Sequence, residues 1–250
     1  MSLKKTPATA GQIGQYGFLL FQAAVEILGK SDISKSEMQV LLTRHKDKIV
    51  ESAKEVVSQT VGVKVDIWDR QIEKLTKFWK EEFNHDILWE QILFPEEKEG
   101  FGVLEYNPNC FTENDVFNKY AQKFGKDKVW KYYGNIRQNI KVQQPHSTQA
   151  QLFLHRGGQE PDAEHLGKSY DDFCNDGKQY INPLEGLIIA FRYRVETGKM
   201  MDEKGLTRFH ALDSDGNAMS MYSRDDGKFY VGRDNRDNRD SDSGPREVSF

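Results

Sequence analysis

Long hydrophobic runs are missing from this sequence. The longest, FLLFQAAVEIL at residues 18–28, is too short to span a bilayer. No charged start with a small-residue cleavage site stands at the spacing of a signal peptide. The chain is therefore read as cytoplasmic, with no membrane partner. Cysteine is scarce too. Cys110 and Cys174 lie far apart and form no CxxC pair, which fits a reduced compartment or ordinary core positions and leaves one disulfide open. Basic patches are also lacking. Before Asp213 there are 30 acidic and 29 basic residues; from Asp213 onward there are nine and six, which supplies most of the net charge of −4. A chain without a phosphate-neutralising patch is a poor nucleic-acid binder.

Catalytic and metal signatures are absent as well. There is no GxSxG, no P-loop and no glycine-rich dinucleotide turn after a strand. His146, His155, His165 and Cys174 recur at intervals of about nine residues, without the close pairs that zinc requires. His45 falls on the apolar face of a helix, the position of a core histidine. The stretch DDFCNDG places acids beside Cys174 but supplies no identifiable base. DSDGN (213–217) and DNRDSDSG (237–244) look like pieces of calcium loops, yet glycine comes too early in the first and too late in the second. The arginines of the second would oppose a divalent cation. No metal or other cofactor is expected, and nothing makes a positive case for an enzyme.

What is present is a polar chain of 250 residues, 12% aromatic, long enough to bury a core as one large domain or two small ones. The first 95 residues read as helices. GQYGFLLFQAAVEILGK ends at Gly29, a second helix starts at the Ser34/Glu37 capping box, and a third from Asp66 carries Trp68, Ile72, Leu75, Trp79 and Phe83 on one face. FPEEKEG breaks the pattern; FGVLEY reads as a strand and NPNC as a turn. Thr112 and Asp115 cap a helix that stops at Gly125, and QAQLFLHR reads as a strand ended by Gly157 and Gly158. Asn182, Pro183 and Glu185 start the next helix, with Leu184, Leu187, Ile188, Phe191 and Val195 on its buried face and Gly198 at its end. From Leu206 the texture changes to strands (LTRFHAL, AMSMYS, KFYVG) joined by the turns DSDG and RDDG. The expected fold class is α+β: a helical N-terminal region, 1–95, then an α+β region, 96–250, whose end from about residue 206 is small, antiparallel and β-rich.

The tail is unlike the rest. From Gly232 to Gly244 every residue is Gly, Arg, Asp, Asn or Ser. Such residues are ordinary in turns, but the arginines interleaved at 233, 236 and 239 make a dense field of donors and acceptors. The genetic code adds a second point. An asparagine codon of the form A-A-pyrimidine becomes Asp, Ser, Gly or Arg when its adenines are replaced, and those with Asn are the whole inventory of this stretch. Tyr222 and Tyr230 are reachable by the same route.

That layout resembles the variable proteins of diversity-generating retroelements, whose C-terminal segment is rewritten by adenine-directed mutagenesis. PEEKEGFGVL (95–104), NPLEGLIIAFRYRVETGKMMD (182–202) and the frame SDG…YVG…PREV within 214–248 are similar to one bacterial branch of them. The Trp-Gly frameworks of many such domains are missing, since all four tryptophans precede residue 131. The resemblance implies a C-type-lectin-like C-terminal domain and a non-enzymatic protein that binds a protein or other macromolecule through a diversified surface. Its contact residues would be Tyr222, Arg224 and Tyr230, then Arg233, Asp234, Asn235, Arg236, Asp237, Asn238, Arg239, Asp240, Ser241 and Asp242, with Phe229, Val231 and Val248 as framework. Phe229 and Val231 before the loop, and Val248 and Phe250 after it, would form a strand pair that clamps it and leaves 233–244 exposed.

Two other readings stand beside this one. The protein is an enzyme or toxin with chemistry around His155, Arg156, Asp162, Glu164 and His165, which a pocket collecting those residues would favour. Or it is a structural protein whose acidic, arginine-bearing tail is disordered.

Overall fold

The computed structural model describes residues 68–143 and 149–250, and the compact unit there is Arg70–Phe250. The helices expected around residues 14–30 and 34–57, His45 and His146 lie outside the described residues. In chain order the elements are α1 (Asp69–Phe83), β1 (Val103–Asn107), α2 (Glu113–Phe124), β2 (Val129–Lys131), α3 (Ile136–Asn139), β3 (Ile140–Gln143), β4 (Gln151–His155) and α4 (Tyr170–Cys174). Then follow α5 (Pro183–Thr197), β5 (Leu206–Asp213), β6 (Ala218–Ser223), β7 (Phe229–Asp234), β8 (Ser243–Gly244) and β9 (Val248–Ser249). The protein is a mixed α+β structure.

α5 is the centre of the unit. Asn182 Oδ1 accepts from Glu185 N at 3.0 Å while Glu185 Oε2 accepts from Asn182 N at 3.0 Å, so the first turn is closed reciprocally. Gly198, at φ 73°, ends the helix in the left-handed region that a side chain would disfavour. The sequence suggests one apolar face, but every residue from Pro183 to Arg192 is buried and Val195 is only half-buried. The reason is that neighbours stand on every side. Arg192 Nη1 donates to Leu104 O of β1 at 2.9 Å, Phe191 meets Phe78 of α1 at 5.4 Å, and it meets Tyr120 of α2 at 5.6 Å. On the β5 side Gly186 lies so close to Phe209 that any Cβ there would collide with the ring. A helix enclosed all round is apolar all round.

Two sheets flank it. One has the order β1-β4-β9, antiparallel throughout. The other has the order β2-β7-β6-β5-β3, with β8 also on β5. The expected antiparallel meander is present as β5-β6-β7, but β2 joins β7 in parallel and β8 joins β5 in parallel. Phe209, Met219, Met221, Phe229 and Val231 fill the buried face of the large sheet. α1, assigned from sequence to the region 1–95, packs into this same unit through Phe78 and Trp79.

The expected clamp takes a different form. Val248 is 1% exposed, but it pairs with His155 in the small sheet, while Phe229 and Val231 belong to the large one. Phe250 is 40% exposed. Spacing by two fixes which face a residue occupies but not which strand lies beside it. The exposed stretch is also shorter than expected at its end, because Ser243 and Gly244 are buried beside β5.

Candidate functional site

The residues read as a contact surface fall into two groups at opposite ends of β7. At the first end, Tyr222 and Tyr230 are register partners whose rings stack at 5.1 Å with planes 3° apart. Arg224, in the β6–β7 turn, lies over both rings, at 5.4 and 4.7 Å. Tyr230 Oη donates to Asp226 Oδ2 at 3.1 Å, and Gly227 at φ 74° gives the turn its left-handed residue. Trp130 extends the row: it pairs with Tyr230 across the β2–β7 ladder, their rings 5.7 Å apart. Tyr132 follows, with Arg233 over its ring at 4.2 Å and held to Asp215 at 2.6 Å. Trp130 and Tyr132 are 46% and 48% exposed. Neither stood out in the sequence, because β2 pairs with a strand a hundred residues away.

At the other end the chain leaves β7 and crosses α4 as an irregular loop. Its backbone is held at several points: Tyr170 N donates to Arg236 O at 3.0 Å, Asn238 N to Asn235 O at 3.1 Å, Ser243 N to Asp240 O at 3.1 Å, and Leu206 N to Asp242 O at 3.1 Å. Some side chains are anchored too. Asp234 receives the buried Arg208 at 2.6 and 2.8 Å, and Asn238 Nδ2 bridges Asp234 and Asp240. Arg236 forks onto Asp171, with Nε at 2.9 Å from each oxygen, and Arg239 pairs with Asp172 at 2.8 Å. Asn235, Asp237, Ser241 and Asp242 have exposed side chains. The exposure ends abruptly: Asp242 is exposed, and every residue from Ser243 to Val248 is buried. Gly244 is required there, since a Cβ would meet the backbone oxygen of His165 at 2.6 Å.

The buried frame joins the three stretches on which the family resemblance rests. Arg246 Nη2 donates to Asp202 Oδ1 at 2.6 Å and its Nε to Thr207 Oγ1 at 3.0 Å. Burial pushes the Asp202 carboxyl up to about 6, against the pull of Arg246. Next to it, Glu247 accepts from Lys98 at 2.9 Å, Lys178 at 2.8 Å, Arg156 at 3.2 Å and His165 at 2.9 Å. Burial alone would raise the Glu247 carboxyl, but these donors outweigh it and hold it well below the usual glutamate range.

Arg156, Asp162, Glu164 and His165, the core of the enzyme reading, are thus gathered around Glu247: Arg156 Nε reaches Glu164 at 2.7 Å, and Asp162 Oδ2 accepts Glu247 N at 2.7 Å. His155 is apart from them, buried beside Glu105 at 3.9 Å, and burial lowers its pKa. Most of the gathered groups pair with one another in a network of ion pairs, although His165 Nδ1 is buried without a hydrogen-bond partner among the described residues. They do not line the surface grooves on Arg137–Val142 and on α2–β2. A carboxylate held ionised this firmly is a poor proton carrier near neutral pH. Glu164, His165 and Glu247 place possible ligand atoms within 4.8 Å of one another, but a metal would have to displace the cations that already occupy Glu247.

Cys110 and Cys174 are free thiols, and burial pushes the Cys174 thiol up to about 11, leaving it protonated. No helix among the described residues is long and apolar enough to cross a membrane. Comparison with family models, with curated proteins and with solved structures gives no match.

Proposed function

We propose that this chain is a binding protein that presents a diversified C-terminal surface to a protein or other macromolecule, in the manner of the variable proteins of diversity-generating retroelements. It works in the cytoplasm and performs no chemistry on its ligand. The carrying observation is the border between Asp242 and Ser243: exposed side chains on a hydrogen-bonded loop up to it, unbroken burial from Ser243 to Val248 after it. A surface meant to be rewritten needs that division, because loop side chains then change without cost to the core. A C-type-lectin-like fold is the finer architectural proposal. It is supported by the β5-β6-β7 meander carrying an irregular loop and by the ion pairs Arg246–Asp202 and Glu247–Lys98 that join the three resembling stretches.

Sequencing the gene and its flanks tests this reading. Arginines 224, 233, 236 and 239 should be encoded as CGC or CGT, Asn235 and Asn238 by A-A-pyrimidine codons, and a near-copy template with a reverse-transcriptase gene should lie nearby. AGA or AGG at those arginines, with no template, overturns it.

A further inference from the structure

β2 is an edge strand with one side in use. Tyr132 N donates to Val231 O at 2.9 Å, so by the alternation of a strand Trp130 and Tyr132 turn their peptide groups toward β7, and Val129 and Lys131 turn theirs outward. Among the described residues no strand and no backbone hydrogen bond occupies that outer side. Beside it runs a groove of about 470 Å³, walled by Phe117 and Ala121 of α2 and by Lys126, Val129, Trp130 and Lys131. Its walls are largely apolar. Neither lysine has a carboxylate partner among the described residues: Lys131 reaches only the neutral Asn114 Oδ1, at 3.3 Å, and lies over the Phe117 ring at 5.2 Å. Burial already lowers the Lys131 ammonium from its ordinary range, so a nearby carboxylate would restore what desolvation takes away.

An open peptide edge, an apolar trough beside it and unneutralised lysines at its rim make three separate demands. An extended peptide meets the first with its backbone, the second with alternate side chains and the third with carboxylates. We propose that the β2 edge docks an acidic, extended segment of a partner protein, added as a strand beside Val129–Lys131, with apolar side chains in the groove and acidic ones at Lys126 and Lys131. This surface is distinct from the 234–242 loop and stands whether or not that loop is diversified.

The test is fluorescence anisotropy with a labelled, end-blocked heptapeptide of alternating glutamate and valine, against its lysine–valine counterpart, on the full chain. The acidic peptide should bind saturably and the basic one should not. The double variant Lys126→Glu, Lys131→Glu should weaken binding at least tenfold while remaining folded by circular dichroism. Two further acidic peptides, N-methylated on alternate residues along one edge or the other, need only the wild-type protein: one should bind normally and the other lose at least tenfold. No binding of the acidic peptide, or equal behaviour of the two methylated ones, overturns strand addition. Equal competition by an oligothymidylate of the same charge overturns the choice of a peptide.

Discussion

Among the described residues no cation stands beside Glu185. Its carboxyl is 2% exposed at the first turn of α5, and burial pushes it up to about 7 despite the Asn182 hydrogen bonds that favour the charged form. A carboxyl whose folded pKa is raised gives stability that is fully present below the unfolded value, near 4.3, and lost as pH rises through the folded one. Between those values folding should weaken by about 1.4 kcal/mol per pH unit from this group alone. Glu185→Gln keeps the shape and the acceptor without the ionisation. It should match the wild type in thermal melting at about pH 4, below the unfolded value, and exceed it by several degrees at pH 8. A variant less stable than wild type at both would mean that the negative charge at the helix start is worth more than its burial costs.

At the scale of elements, the C-terminal strand β9 is fastened chiefly by the residue before it. Glu247 ties the turn before β1 (Lys98), the end of β4 (Arg156), the turn at His165 and the segment after α4 (Lys178). Its pKa is depressed, so its stabilisation is present above the unfolded glutamate value and lost as pH falls below it. Glu247→Gln should cost about 3 kcal/mol at pH 7, since it leaves several cations facing a neutral group, and the gap from wild type should close toward pH 2–3. A gap that stays constant across that range would exclude the charge as its origin. None of these partners could be paired from the sequence, because they come from segments far apart in the chain. Local signatures were legible: the capping boxes at Thr112/Asp115 and Asn182/Glu185 formed as read. The same signature at Ser169/Asp172 starts α4, but a helix of five residues has too few turns for an apolar repeat to mark it in the sequence. β2 and β8, of three and two residues, carry no periodicity to detect. The aromatic row was therefore half visible: Tyr222 and Tyr230 stood out in the tail, while Trp130 and Tyr132 depended on a parallel pairing that no local pattern encodes.

At the scale of the whole molecule, the tail is divided between a loop that can change and a frame that cannot, and the two should respond differently to substitution. Asp237 and Ser241 are exposed, with no side-chain bond or ion pair among the described residues, so tyrosine at either position adds surface and removes nothing that holds the loop. Such changes ordinarily stay within about 0.5 kcal/mol, or about 2 °C of melting for a chain of this size. Val248 is 1% exposed between β4 and the Gln179 carbonyl that accepts its N–H. Val248→Ala should cost about 2 kcal/mol through lost contacts and a residual cavity. Val248→Asp should cost on the order of 4 kcal/mol or more, because its carboxylate would be buried without a partner. Asn238→Ala should fall between the two classes, since its amide bridges Asp234 and Asp240 and through Asp234 reaches Arg208. The order expected in thermal melting is therefore Asp237→Tyr and Ser241→Tyr near wild type, then Asn238→Ala, Val248→Ala and Val248→Asp. If the loop substitutions melt as low as Val248→Ala, residues 235–242 belong to the frame, and a surface open to rewriting is excluded on stability grounds alone.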